Sequence, residues 1–136
     1  AWGLEPLMYA QCELNDTFNG HYFSMVVCGA LAEGRCYYRC PTGGDQGAAF
    51  VALCDMPKEL FAPVDGITFI NSVSQCIQQF YLDHKIFVEA FLRWNKTPFD
   101  WSGNTLTAHF DADVAVEFEQ AGENYRIKNL HQTAKP

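Results

Sequence analysis

Six cysteines, Cys12, Cys28, Cys36, Cys40, Cys54 and Cys76, lie in the first 76 of 136 residues, and the last sixty residues contain none. An even count crowded into part of a short chain reads as a disulfide framework, which forms and persists in an oxidising compartment. Structural disulfides are therefore expected. Cys12 and Cys28, on adjacent predicted helices, form a natural pair; Cys36, Cys40, Cys54 and Cys76 would close a glycine-rich loop onto a later helix. Six cysteines allow many pairings, and spacing does not choose among them. Cys36-x3-Cys40 lacks the second tight pair that structural zinc requires, and it lacks the two-residue spacing of a redox motif. No metal and no cofactor is expected.

Apolar residues make up 49% of the chain and aromatics 15%, enough to bury a real core, so the cysteines would reinforce a single domain over 1–136. The formal charge of −7 argues against nucleic acid, which needs clustered Lys and Arg, and it suits a basic protein partner. No stretch approaches the roughly 20 apolar residues of a membrane span. The chain starts at Ala1 without methionine, which reads as a mature form lacking its signal peptide. With the cysteines, this predicts a periplasmic or secreted protein. Asn15-Asp16-Thr17 and Asn95-Lys96-Thr97 match the glycosylation sequon.

The apolar spacing predicts a first helix from about Glu5 to Asn15 and a second from about His21 to Ala32, the latter through Phe23, Val26, Val27, Ala30 and Leu31. Residues 33–47, with Gly34, Cys36, Cys40, Pro41, Gly43, Gly44 and Gly47, read as an irregular loop tied by cysteines. Ala48 to Cys54 is an apolar run compatible with a buried strand or a helical turn. The strongest helix has Thr68 as N-cap and carries Ile70, Val73, Ile77, Phe80 and Tyr81. Asp83-His84-Lys85 ends it, and a further helix carries Ile86, Phe87, Ala90, Phe91 and Trp94.

Beyond Gly103 the period changes to 2. Leu106, Ala108, Phe110, Ala112, Val114, Val116 and Phe118 alternate with polar residues, as in a long half-buried strand, bent or interrupted. A turn at Ala121-Gly122 would set Phe118 opposite Tyr125, Val116 opposite Ile127 and Glu117 opposite Arg126. In that register Asp111, Asp113, Glu117 and Glu119 share a strand face with His109. The fold expected is mainly α: a disulfide-linked bundle of four or five helices (about 1–99) with a C-terminal β-hairpin (about 105–130). The acidic residues Asp111, Asp113 and Glu117 and the hairpin tip at Gly122, Glu123 and Tyr125 are the candidate partner-binding residues. No catalytic motif is present: the four histidines are scattered, and Gly43-Gly44-Asp45-Gln46-Gly47 lacks the Lys-Ser/Thr ending of a phosphate loop.

Cys12, Val27-Cys28-Gly29-Ala30, Cys54-Asp55-Met56-Pro57, Gly66-Ile67-Thr68, Tyr81-Leu82-Asp83-His84 and the helix through Trp94 stand in an order that resembles a known family. These are the small helical immunity proteins that Gram-negative bacteria keep in the periplasm against type VI secretion amidase effectors, and the likeness covers about residues 4–99. The resemblance implies a helical inhibitor of an enzyme, and no binding residue is carried over from it. Helices followed by long alternating strands, with Tyr125-Arg126-Ile127 near the end, are also similar to the cone of nuclear-transport-factor-2-like domains, the alternative fold.

These features predict an exported binding protein, an inhibitor or immunity factor that plugs the cleft of a basic enzyme. One alternative is a small secreted enzyme or ligand-binding domain, which requires a deep pocket lined by aromatic residues. Another is a structural or adhesion subunit whose strand 106–118 pairs edge to edge with a further chain, a homodimer included.

Overall fold

The computed structural model describes residues 9, 11–16, 19–31, 36–43 and 47–133, and the chain divides into two units, Ala1–Phe61 and Ala62–Pro136. In the first unit, helix α1 (Gly20–Leu31) is opened by Asn19, whose Oδ1 accepts the backbone N–H groups of His21 and Tyr22 at 3.0 and 3.3 Å. Two strands follow, β1 (Cys36–Pro41) and β2 (Ala48–Leu53), paired antiparallel from Cys36 opposite Leu53 to Pro41 opposite Ala48. A 3-10 turn at Lys58–Phe61 ends the unit. Gly20 is required where it stands: a Cβ there would lie 2.5 Å from Cε2 of Phe50, so its absence lets that ring rest on the start of α1.

In the second unit the 3.6-residue period appears as two helices. Helix α2 (Gly66–Gln79) buries Phe69 and Val73; helix α3 (His84–Trp94) buries His84, Val88 and Leu92, one stripe at i, i+4 and i+8. Four strands complete it, β3 (Phe99–Ser102), β4 (Thr105–Ala108), β5 (Val114–Ala121) and β6 (Asn124–Gln132), in the antiparallel order β3-β4-β5-β6. One face of this sheet supplies Leu106, Ala108, Val114, Val116 and Phe118 to the core that the two helices cover. Both tight hairpins turn on a glycine with positive φ at the first central position, Gly103 (+61°) and Gly122 (+66°), while Asn104 and Glu123 keep negative φ. This is the type II′ pattern that matches strand twist.

Asn95 joins the segment before α2 to the end of α3. Its Oδ1 accepts the N–H of Val64 at 2.6 Å, and its Nδ2 donates to Val64 O at 2.9 Å and to Thr97 Oγ1 at 2.8 Å. The side chain thus pairs with Val64 as a strand backbone would. The helix itself closes with Lys96 in the left-handed region (φ 57°). Lys96 N–H donates to Arg93 O and Thr97 N–H to Leu92 O, the two bonds of a Schellman motif.

Asp83 and His84 begin α3 and also close the free side of β6. Asp83 Oδ1 accepts Ile86 N–H at 2.9 Å and its Oδ2 accepts Tyr125 N–H at 2.8 Å, while His84 Nδ1 accepts Ile127 N–H at 3.0 Å. Two outward-facing donors of the last strand are satisfied in this way.

Several expectations are corrected. The fold is α+β, with three α-helices and six strands in two antiparallel sheets among the described residues; it is neither a four- or five-helix bundle nor the single curved sheet of the alternative cone. Residues 36–41, expected in a loop, pair as β1 with β2, because Tyr37 and Tyr38 favour a pleated strand and the glycines fall in the connection. The expected helix over residues 5–15 lies partly outside the described residues, and residues 11–15 are not helical. Thr68 is not the cap of α2: Asp65 is, accepting Thr68 N–H at 2.7 Å.

All six cysteines are free thiols. Cys36 and Cys40 sit on one strand, four residues and so roughly 13 Å apart, beyond the about 7 Å between Cα atoms that a disulfide spans. Cys12 and Cys28, the one pair expected by name, are likewise unbonded, Cys12 exposed and Cys28 buried. Cys76 is half-buried in α2, where burial raises its pKa and keeps it a thiol. The framework from which an oxidising compartment was expected is not present.

Candidate functional site

The expected long strand 106–118 is two strands. The chain leaves β4 at Ala108, reverses through His109–Asp113 and returns as β5 from Val114, with Leu106 opposite Val116 and Ala108 opposite Val114. The loop preserves parity, so inward residues stay inward across the reversal, and the alternation runs on through a turn that it hides. The reversal is pinned at its ends: His109 N–H donates to Pro98 O at 2.8 Å, and Thr133 N–H and Oγ1 donate to Asp113 O at 2.7 and 3.1 Å.

Against this loop lies the start of α2, and between them is a groove of about 420 Å³. Val64, Ile67, Phe110 and Ala112 supply carbon surface; Asp65, Asp111 and Gln132 supply polar groups. Ile67 is 61% exposed, an uncovered branched apolar side chain at the lip. The helix can start this close to the loop because residue 66 is glycine: a Cβ there would lie 3.3 Å from Phe110 and Val114 side-chain atoms. Asp65 holds its carboxyl below the usual range, chiefly because Thr68 donates to it, so it is ionised at neutral pH.

His109 also lines the groove and stands between two carboxylates, Nε2 at 2.8 Å from Asp100 Oδ2 and Nδ1 at 3.3 Å from Asp113 Oδ1. Hydrogen bonds to Asp100 and then to Asp113 raise its pKa, so its protonated form bridges β3 to the loop. Both ring nitrogens are occupied, which leaves neither for a nucleophile or a substrate proton. The carboxylates bind opposite sides of the ring and do not converge, and no group of three or more His, Cys, Asp or Glu among the described residues could hold a metal ion.

The six candidate partner-binding residues separate. Asp111 and Asp113 lie in the loop at the groove. Glu117 sits mid-sheet on the outer face, opposite Thr105 and Asn129. Gly122, Glu123 and Tyr125 lie at the other end of the β5–β6 hairpin, roughly 23 Å away by strand length. The four acids therefore do not share one strand face, because Asp111 and Asp113 belong to the reversal. The hairpin turn is centred at Gly122-Glu123, one residue later than expected, with Phe118 opposite Ile127 and Glu119 opposite Arg126; a bulge after Glu117 then shifts the register. Tyr125 is held internally: Asp83 takes its N–H, and Lys85 Nζ sits 4.7 Å from its ring and 4.6 Å from that of Trp101. Missed from sequence were Asp65, Ile67 and Gln132, of which Asp65 carried a signal as a carboxylate three residues before Thr68.

Two histidines give the second unit opposite pH responses. His84 is 5% exposed; its Nδ1 is an acceptor, so its proton is on Nε2, which is buried without a partner. Burial, then Arg126, lowers its pKa, with Asp83 opposing. Between the folded and unfolded pKa values the folded state binds fewer protons, so stability rises with pH. This contribution is complete above about 6.5 and is lost as pH falls through the lower folded value. For His109 the sign reverses: its contribution is complete below about 6.5 and is lost as pH rises through the raised folded value. Urea midpoints at pH 5, 6, 7 and 8 should show His84→Gln flattening the acid-side decline and His109→Gln flattening the alkaline-side decline. Parallel profiles for both variants would contradict the assignment.

No helix among the described residues is long and apolar enough to cross a membrane. Comparison of the chain with protein-family models, curated proteins and solved structures finds no match.

Proposed function

We propose that the chain is a binding protein that acts by occlusion on a basic protein partner, and that the groove between α2 and the β4–β5 loop receives a cationic side chain of that partner. The observation that carries this reading is the pairing of carbon surface with carboxylates in one concavity: Ile67 and Phe110 for an aliphatic stem, Asp65 and Asp111 for its charged head. An Arg or Lys beside an apolar residue fits this surface better than an acidic or wholly polar segment. The net charge of −7 would draw such a partner in. The inhibitor role is the one implied by the resemblance to immunity proteins; of its motif segments, Gly66-Ile67-Thr68 opens α2 and Tyr81–His84 joins α2 to α3.

The test is an NMR titration of the isotope-labelled chain with two short blocked peptides, one pairing Arg with Leu and one pairing Glu with Leu. The Arg peptide should shift amides at Ile67, Phe110–Ala112 and Gln132, weaken with salt, and lose at least fivefold in affinity with Asp111→Lys. Equal shifts from the Glu peptide, or shifts scattered over the surface, would remove the reading.

A further inference from the structure

The first unit holds a second concavity that the partner-binding reading does not use. Between α1 and the β1–β2 hairpin is a cavity of about 480 Å³, within the roughly 300–1,000 Å³ of small-molecule sites. Phe23 and Val27 from α1, Tyr37 from β1 and Phe50 from β2 form its walls, with Leu14 across them. None of the described residues that line it is charged or a histidine.

Two of the polar side chains in the wall already have partners. Ser24 Oγ donates to Gly20 O at 2.7 Å, and the Tyr37 hydroxyl lies 3.3 Å from His21 Nδ1. Burial, then Cys28, raises the pKa of Tyr37, so that hydroxyl stays neutral. The rest of the lining is mainly carbon, with Cys12, Cys28 and one amide side chain, Gln11. An apolar molecule loses nothing by entering and gains the contacts that an empty cavity forfeits.

The shape is set by packed rings. His21 meets Phe50 edge-on at 5.1 Å, and Tyr37 lies 5.9 Å from Phe50. Because residue 20 has no Cβ, the Phe50 ring can rest on the helix start. A concavity of this size, rigid at one end and free of charge, selects by volume and by the absence of charge. We infer that this cavity is a binding site for a neutral, mainly apolar small molecule, distinct from the groove of the second unit.

The probe is N-phenyl-1-naphthylamine, which is uncharged and fluoresces in apolar surroundings, titrated into the full chain. Its emission should rise and saturate near one equivalent, with half-saturation below about 100 μM. Ala48→Trp, which places a large ring in the cavity from β2, should weaken binding at least tenfold. A variant that fails to fold would not blur the outcome, because the unsubstituted chain gives a second measurement. Alkylation with N-ethylmaleimide, read by peptide mass, should slow at least fivefold at Cys12 and Cys28 when the probe is bound, with Cys40 and Cys54 unchanged. Absence of saturable binding, or binding that leaves Cys28 labelling unchanged, overturns the proposal and leaves the groove reading untouched.

Discussion

Replacing Asn95 with alanine is expected to destabilise the second unit by about 3 kcal/mol. The residue is 4% exposed, and its amide makes three hydrogen bonds, two of them to the backbone of Val64. Alanine would leave the half-buried Val64 N–H and C=O without these partners, and a group stripped of its partner costs about 1–3 kcal/mol where solvent does not replace it. The same amide ties the strand-like segment before α2 to the close of α3, so the loss falls where both helices are anchored. Urea unfolding followed through Trp94 and Trp101 would measure it; a shift under about 1 kcal/mol would show that solvent replaces the bonds. Asn95→Asp is the sharper control. At neutral pH it sets a carboxylate against Val64 O, and in acid, where the carboxyl can donate, part of the loss should return. The Asn95-Lys96-Thr97 triplet is thus a structural closure, and a glycan on Nδ2 would displace bonds that hold the fold.

Phe69→Ala should cost more, about 4 kcal/mol, because Phe69 is fully buried and central. Its ring lies 5.1 Å from that of Phe91 on α3 and 5.3 Å from that of Phe110 in the β4–β5 loop. One side chain therefore joins α2 to α3 and to the floor of the groove. Truncation removes apolar contact and leaves a space that three elements cannot close together. Phe69→Leu should lose about 1 kcal/mol, since it keeps most of the volume. If the alanine variant unfolded within about 1 kcal/mol of the parent, the core would be far more plastic than its packing shows. Because Phe110 also lines the groove, Phe69→Ala should weaken the Arg peptide as well, through altered packing beneath Ile67 and Phe110.

What was legible in the sequence was periodicity, and what was not was direction. The helices α1, α2 and α3 follow from apolar spacing, as does the inward set Leu106, Ala108, Val114, Val116 and Phe118. The length of the alternating run implied a bend or interruption but not its place: residues 109–113 contain neither glycine nor proline, and their number keeps the alternation in step. On α3 Lys85, Glu89 and Arg93 form one charged stripe, but the apolar residues spread over a wide arc around the rest, so the buried stripe could not be phased from them alone. Ile86 and Trp94 are 70% and 47% exposed, while Val88 and Leu92 are fully buried. The cysteines misled because their number and crowding carry no geometry, and a strand holds Cys36 and Cys40 apart. Of the groove, Asp111 was legible as an acidic candidate. Its partners Asp65 and Ile67 come from more than forty residues earlier in the chain, a juxtaposition that local pattern does not encode.

The pair Asp83 and His84 has a consequence beyond the energy of its bonds. β4 and β5 lie inside the sheet, so its two edges are β3, of four residues, and β6, of nine, and the longer one offers more backbone to a foreign strand. There the carboxylate and the imidazole occupy the donors of Tyr125 and Ile127. The first turn of α3 is thus both a helix start and a gatekeeper. While it stays seated, the sheet ends; were it to lift, two donors in step with a neighbouring chain would be bared together. At this end of β6 the guard against strand addition is thus one dipeptide, set in a helix rather than in the sheet itself.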